Sequence, residues 1–225
     1  MEIKNNQQET KLGHKIYFPF LYCFLLLCVP TNAKASEFSL QLYETYTYNS
    51  PKNTFTEKSG TKNLAGKFAG DLLMPDTHFA GHSWKVRLEF IKEKLSCVSL
   101  MGPYSKDRIQ AVMSQVRSQQ FELLGIVVDK EQIDLIALLK AGKTENVLSE
   151  INALTKNKKF SRLSYLFFDT AKISKEIKMA ARNLYDFFML IPSETKEVEL
   201  TVLGDKKRQP RMMLIDFRYP ILNAK

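Results

Sequence analysis

The feature that most constrains the fold of this chain is a strict alternation of apolar and charged residues over positions 84–90. Successive side chains of a β-strand point to opposite faces of a sheet, so this alternation predicts a strand with one buried face. A second alternating stretch covers positions 196–203. Each stretch is followed by a polar turn and then by a further apolar stretch, over 95–101 and 211–219 respectively. This order predicts two antiparallel hairpins.

The remaining segments add strands and helices to these hairpins. Stretches of high β-propensity and apolar runs of strand length predict strands, and apolar residues that recur every three or four positions predict helices. Together they predict an α+β fold, with a largely antiparallel sheet built from hairpins and helices packed mainly on one face. The further strands are predicted over 36–48, 121–128 and 163–168, and the helices over 109–116 behind an N-cap at Ser105, 133–139, 147–154 and 174–189.

Residues 1–35 have the organisation of a secretory signal peptide. Three lysines precede an uncharged apolar run over 16–29, and Ala33-Lys34-Ala35 then offers small residues at the two positions that signal peptidase reads. The run is shorter than the about 20 apolar residues that a membrane-spanning helix needs, and Pro19 interrupts it. We expect cleavage after Ala35, which leaves a periplasmic or secreted chain without a transmembrane segment. The alternative is an uncleaved segment that tethers the chain to the membrane.

Removal of this segment leaves a basic chain with a single cysteine, Cys97. The full sequence has 33 Lys and Arg against 24 Asp and Glu, a formal charge of +9, and residues 36–225 retain 29 against 22. A lone cysteine forms no intramolecular disulfide, so the core must hold the fold together. We expect residues 36–225 to form a single α+β domain, because a chain of this size buries about 70% of its unfolded surface. A subdivision near 129–142 is the alternative.

One aspartate and two histidines lie close together before the first hairpin: Asp76, His78 and His82. Pro75 and Gly81 disfavour a helix here, so a loop is predicted. A loop can fold the three side chains around a cation, and imidazole suits zinc, nickel or copper. No glutamate follows His78 at the spacing of a helical metalloprotease motif. We therefore expect no metal and no other cofactor; the three residues are the candidates for the alternative of a small metal-assisted hydrolase.

The basic residues have an ordinary interpretation and a functional one. On the predicted helix, Lys175, Lys178 and Arg182, together with Lys172 just before it, lie opposite the apolar residues, as on any solvent-facing amphipathic helix. The functional alternative is an anion-binding surface that extends this basic stripe. Its further members would be Lys156, Lys158, Lys159, Lys206, Lys207, Arg208 and Arg211.

The sequence contains no motif that names a reaction. It has no glycine-rich phosphate loop and no nucleophile elbow, and Cys97 falls inside a predicted strand, where a buried thiol is typical. We therefore favour a non-catalytic protein of the bacterial cell envelope, a binding or accessory and assembly factor. Its expected partner is an envelope protein or an anionic envelope component, and no nucleic acid. Such a protein should expose an apolar or basic surface, whereas an enzyme should bring polar side chains together in a pocket.

Overall fold

The structure, a computed structural model of the chain, describes residues 40–142 and 159–223. The predicted signal peptide and the predicted helix over 147–154 lie outside these residues. None of the helices within the described ranges is both long enough and apolar enough to cross a bilayer.

A nine-stranded antiparallel sheet dominates the described part of the chain, with the strand order β3-β4-β5-β6-β11-β10-β9-β7-β8, and a two-stranded ribbon of β1 and β2 accompanies it. All the strand pairs are antiparallel, which confirms the predicted sheet and the broad α+β class. The strands are β1 (Gln41–Tyr43), β2 (Tyr46–Thr47), β3 (Lys62–Asn63), β4 (Leu72–Phe79), β5 (His82–Ile91), β6 (Lys94–Pro103), β7 (Phe121–Val128), β8 (Glu131–Asp134), β9 (Arg162–Asp169), β10 (Glu197–Gly204) and β11 (Pro210–Arg218).

The sheet is assembled from two halves that meet at one seam. Strands β3 to β6 follow one another as a meander, and the chain then crosses to the far side of the sheet, where β7 and β8 form the edge. From that edge, β9 pairs with β7, β10 with β9 and β11 with β10, and β11 finally pairs with β6. This seam joins residues more than a hundred positions apart, such as Ser99 and Asp216. The region 129–142 holds β8 and the following helix, and both contact β7 of the same sheet.

The helices are short, and most begin at a side-chain cap. Ser105 accepts a hydrogen bond from the backbone N–H of Arg108, which confirms the predicted N-cap. Ser174 caps the N-terminus of α4 in the same way, through the N–H of Ile177. The helices are α1 (Asn53–Thr56), α2 (Lys106–Ser118), α3 (Leu135–Lys140), α4 (Lys175–Ala180), α5 (Leu184–Leu190) and α6 (Pro220–Asn223), with 3₁₀ turns at Gly66–Phe68 and Thr170–Lys172.

The prediction of one continuous helix over 174–189 was wrong. Ala181 is extended (φ −63°, ψ 122°) and completely buried, so the chain leaves the helix there to place this residue in the core. Asn183 then caps a new helix by accepting the N–H of Asp186. The side chain of Asp134 accepts the N–H of Leu184 at 2.6 Å, which holds the start of α5 against the end of β8.

Two further segments differ from their predictions. The stretch before the first hairpin is strand β4 rather than a loop, and Pro75 is accommodated because the register with β5 is irregular between Met74 and Thr77. The predicted helix over 133–139 begins only at Leu135, because Asp134 ends β8 and caps α3 through the N–H of Ala137. A register irregularity explains the first difference and a side-chain cap the second, and neither can be deduced from apolar periodicity.

The helices lie on both faces of the sheet. We call the face that carries Val198, Leu200 and Val202 of β10 the first face, and the opposite one the second face. The first face belongs to the larger apolar core, which includes buried residues of β1, α1 and α2. The second face has a smaller apolar core at its β7–β9 end, to which α3 contributes Ile136 and α5 contributes Leu184 and Phe187, while the partly buried Ile177 of α4 packs against it. The predicted packing of helices mainly on one face is therefore not confirmed.

Candidate functional site

The hairpin of β4 and β5 separates the two histidines that a hydrolase would need together. His78 pairs with Ser83, and Phe79 pairs with His82. Paired residues share a face of the sheet and successive residues alternate, so the two imidazoles lie on opposite faces. Asp76 is exposed, in the irregular part of the β4 register. The structure therefore does not assemble the predicted metal candidates into one site.

Within the described ranges, one group of three side chains has the spacing of metal ligands: Glu89, Cys97 and Asp216, whose ligand atoms lie within 4.8 Å of one another. Burial, reinforced by the charges of Asp216 and Glu89, raises the pKa of the Cys97 thiol well above its usual value. Glu89 already accepts a hydrogen bond from the guanidinium of Arg87. In the metal-free protein this thiol is therefore protonated, and one of the two neighbouring carboxylates is already paired with an arginine.

Ser99 lies at the centre of this group, between two carboxyl groups. Its Oγ is 2.6 Å from Oδ1 of Asp216 and 2.8 Å from Oε1 of Glu89. A hydroxyl has one proton to donate, so both contacts are hydrogen bonds at the same time only when one of the carboxyl groups is protonated. Burial, together with the charges of Glu89 and Glu199, raises the pKa of Asp216 to about 6 despite the Ser99 hydrogen bond. Below about pH 6, protonated Asp216 therefore donates to Ser99 while Ser99 donates to Glu89, and above this pH the Ser99 hydroxyl donates to one carboxylate at a time.

The network continues across β10 to β9 through two arginines. Arg218 donates to both carboxylate oxygens of Glu197, at 3.1 and 2.9 Å, and to Glu199 at 2.7 Å. Arg162 donates to the other oxygen of Glu199 at 2.6 Å. We call this set the polar stripe: Arg87, Glu89, Ser99, Asp216, Arg218, Glu197, Glu199 and Arg162.

Burial and pairing compete along the polar stripe. For Glu197, burial outweighs the contacts with Arg218, and its pKa is raised. For Glu199, burial also acts to raise the pKa, but Arg218, Ser164 and Arg162 outweigh it, and the pKa is lowered. The sequence pattern predicted no functional role for these residues. The signal available was a pair of opposite charges at facing positions of the predicted hairpin, Glu197 and Arg218.

Short helices cover the β7–β9 end of the second face and expose large apolar side chains. We call α3, α4 and α5 the helical layer. Met179, Tyr185 and Met189 are 67%, 73% and 70% exposed, and Leu139 and Leu190 are also exposed. Tyr185 and Met189 are four positions apart on α5 and therefore lie on one side of that helix. An apolar cavity of about 120 Å³ lies between the three helices and β7, lined by Leu124, Ile136, Leu139 and Phe187, with Glu122, Lys140 and Lys178 as its charged lining residues.

A second surface of interest lies at one end of the sheet, around the turn between β7 and β8. It borders an open cleft of about 940 Å³ whose charged lining residues are Lys130, Lys159, Arg162, Arg208, Asp129 and Glu131. Lys159 and Arg208 belong to the anion-binding surface predicted from the sequence, whereas Lys130 and Arg162 were missed. Lys156 and Lys158 lie outside the described residues.

The predicted basic stripe on the helices is partly neutralised. Lys178 forms an ion pair with Glu122 at 2.8 Å, and Arg182 forms one with Asp186 at 2.8 Å. The side chains of Lys178 and Arg182 are both exposed to solvent, which agrees with the ordinary interpretation of a solvated helix face. Lys172 and Lys175 are exposed as well.

No known family model, curated protein or solved structure matches this chain. The assignment of a function therefore depends on the surfaces and the network described above.

Proposed function

We propose that this protein is an exported, non-catalytic accessory or assembly factor of the bacterial cell envelope, and that it binds a partner protein through the helical layer. The observation that carries the proposal is the exposure of Met179, Tyr185 and Met189, each about 70%, on two neighbouring short helices. Soluble proteins leave clustered large apolar side chains in water chiefly where a partner covers them.

The chemistry of this surface favours a protein partner. Tyrosine and methionine are enriched in protein interfaces, tyrosine because its ring is rigid and amphipathic, methionine because its side chain adapts to the shape of a partner. The cavity of about 120 Å³ between the helices has room for one apolar side chain of that partner. Its charged lining residues are Glu122, Lys140 and Lys178, and Lys178 is paired with Glu122. The remaining positive charge would attract a partner that carries a carboxylate beside its apolar residues.

Residues 1–35 support export, through the basic start, the short apolar run and Ala33-Lys34-Ala35. Intact-mass analysis after expression in a Gram-negative host tests this part separately. The mature protein should begin at Ser36 and should be released by a salt or osmotic wash. Retention of residues 1–35 would favour the membrane-tethered alternative instead.

Binding is tested by capture from an envelope extract with residues 36–225 as bait. The double variant Tyr185→Ser, Met189→Ser should lose the partner that the unmodified protein retains, because both apolar anchors are removed. The matched control is Ile91→Ser, Met212→Ser, which removes two exposed apolar side chains from strands β5 and β11. Loss of the partner in both double variants, or in neither, would contradict a site on the helical layer.

A further inference from the structure

Three segments that are distant in sequence meet at the end of the sheet that includes the β7–β8 turn. They are residues 128–131 around this turn, residues 159–162 at the start of β9, and the loop 205–211 between β10 and β11. We call these segments together the basic end. Seven basic side chains lie on them against three acidic ones, so the formal excess is four positive charges.

Asp129 ties the three segments of the basic end together. Its Oδ1 accepts the backbone N–H of Ser161 at 2.8 Å and that of Arg162 at 3.0 Å, and its Oδ2 accepts the guanidinium of Arg208. Its own N–H donates to the carbonyl of Arg162 at 2.8 Å. Burial acts to raise the pKa of this carboxyl, but these donors outweigh it and hold the pKa below its usual value. Asp129 thus sets the relative positions of the cations before any ligand arrives.

Asp205 organises the loop between β10 and β11 in a similar way. Its Oδ1 accepts the N–H of Lys207 at 2.8 Å and that of Gln209 at 3.0 Å, and its Oδ2 accepts Nε of Arg211 at 3.2 Å. Its carbonyl accepts the N–H of Arg208 at 2.8 Å. The loop is therefore internally hydrogen-bonded, and it presents Lys206 and Lys207 to solvent.

The basic side chains at the basic end differ in whether they form an ion pair. The three arginines are paired with carboxylates: Arg162 with Glu199, Arg208 with Asp129 and Arg211 with Asp205. The four lysines have no ion-pair partner in the described part of the chain, and all four are exposed. They are Lys130, Lys159, Lys206 and Lys207.

We propose that the basic end is a binding site for a phosphomonoester group, a ligand with up to two negative charges on one phosphorus. Lysine ammonium groups bind phosphate oxygens in proteins, and the basic end carries four exposed lysines beside its three paired arginines. The cleft of about 940 Å³ lies in the size range of ligand pockets and has room for a phosphorylated headgroup. Asp129 and Asp205 hold the backbone segments that carry these lysines, which lowers the entropic cost of binding relative to lysines on mobile loops. This site is separate from the helical layer, so either can fail without the other.

The test compares the binding of residues 36–225 to two vesicle types of equal surface charge. One contains phosphatidic acid, a phosphomonoester, and the other phosphatidylglycerol, a phosphodiester, both in phosphatidylcholine. We expect tighter binding to phosphatidic acid. The variant Lys130→Gln, Lys159→Gln should lose at least about tenfold in this affinity, as expected for two lysines near an anionic surface. The control Lys172→Gln, Lys175→Gln removes the same charge at the other end of β9 and should change the affinity by less than about twofold.

The variant Asp129→Ala distinguishes binding at an organised site from nonspecific electrostatic attraction of a basic protein to an anionic ligand. This variant gains a net positive charge, so attraction to charge alone predicts tighter binding, whereas an organised site predicts weaker binding because Asp129 no longer holds the segments. Tighter binding by Asp129→Ala, equal affinity for the two vesicle types, or equal losses in the two lysine variants would each overturn the proposal. Titration with glycerol 3-phosphate, a soluble phosphomonoester, identifies the source of the ligand: binding that depends on Lys130 and Lys159, without vesicle binding, would support a soluble phosphate ester.

Discussion

The two faces of the central sheet are made by the same strands and yet are held together by different forces. On β10, Val198, Leu200 and Val202 enter the larger apolar core, while Glu197 and Glu199, which alternate with them, enter the polar stripe. Both sets are almost completely buried. Apolar burial stabilises in proportion to area and has no direction, whereas the stripe depends on hydrogen bonds between particular atoms.

Because of this difference, we infer that the two faces contribute to the fold in different ways. The first face supplies most of the stability, because it contains the larger core. We infer that the second face specifies which strands meet at the seam of β6 and β11, since a shift of one residue between these strands would separate Ser99 from Asp216 and turn one of them towards the apolar face. The hydrogen bond between Ser99 and Asp216 crosses this seam directly.

The largest expected effect comes from the first face. Phe167 is fully buried in the larger core, and Phe167→Ala should lower the free energy of unfolding by about 3–5 kcal/mol, through lost apolar burial and a residual cavity. Chemical denaturation measures this effect, and it should change little between pH 5 and pH 8. A loss below about 1 kcal/mol would mean that the first face does not dominate the stability.

A slightly smaller effect is expected when the polar stripe is broken. Arg218→Ala leaves Glu197, which is 1% exposed, as a buried carboxylate without its partner, and should cost about 3 kcal/mol. The double variant Arg218→Met, Glu197→Leu removes both charges and should cost less than the single one. If the double variant is less stable than Arg218→Ala, the ion pair itself contributes net stability. The two faces would then differ less in their contributions to stability than we infer.

The third effect depends on pH. The pKa of Asp216 is raised from 3.8 to about 6, so between these values the folded state binds a proton that the unfolded state has lost. Stability should therefore fall as the pH rises through about 6, by about 2–3 kcal/mol at the usual equivalence of about 1.4 kcal/mol per pKa unit. Asp216→Asn resembles the protonated form and should lack this fall. Denaturation curves of the two proteins from pH 4 to pH 8 isolate the contribution of Asp216, and parallel curves would contradict the proton assignment.

The smallest effect is expected outside both faces. Lys178 pairs with Glu122 at the exposed edge of the helical layer, with both side chains more than 40% exposed. Lys178→Ala should change the free energy of unfolding by less than about 0.5 kcal/mol, because solvent and salt screen such a pair. Thermal or chemical denaturation provides the measurement, and a change above about 1.5 kcal/mol would show that the ion pair belongs to the structural network.

The sequence predictions were accurate where a structure depends on residues close together in the chain, and less accurate where it depends on distant residues. The strand Phe121–Val128 and the loop between β10 and β11 were predicted closely, because alternation, apolar run length and turn residues are local properties. The break at Ala181 was missed because periodicity continues across it, and a contact from Asp134, nearly fifty positions earlier, stabilises the new start. The proximity of His78 and His82 in sequence was misleading, since the strand alternation between them places them on opposite faces.

The candidate sites were less accessible from the sequence than the fold. Five members of the basic end were identified from the sequence: Lys159, Lys206, Lys207, Arg208 and Arg211. Asp129, which orders the end, has no distinctive neighbour in the sequence. The exposed residues Tyr185 and Met189 could not be told from core residues by composition, since apolar residues on a short helix can face either way. The acidic residues of β10 read as the solvent side of a half-buried strand, and the sequence does not show that this side is buried.

By itself the sequence determined that residues 84–103 and 196–219 form antiparallel hairpins, since the two-residue period of a strand allows one buried face and no helical alternative. It also determined the cap of α2 at Ser105, which depends on neighbours three positions away. Only the tertiary structure decided that β6 pairs with β11, that both faces of β10 are buried, and that Asp129 and Asp216 bind groups far along the chain. These outcomes depend on contacts between distant segments, whose free energy is set by burial and geometry that exist only once the sheet has closed.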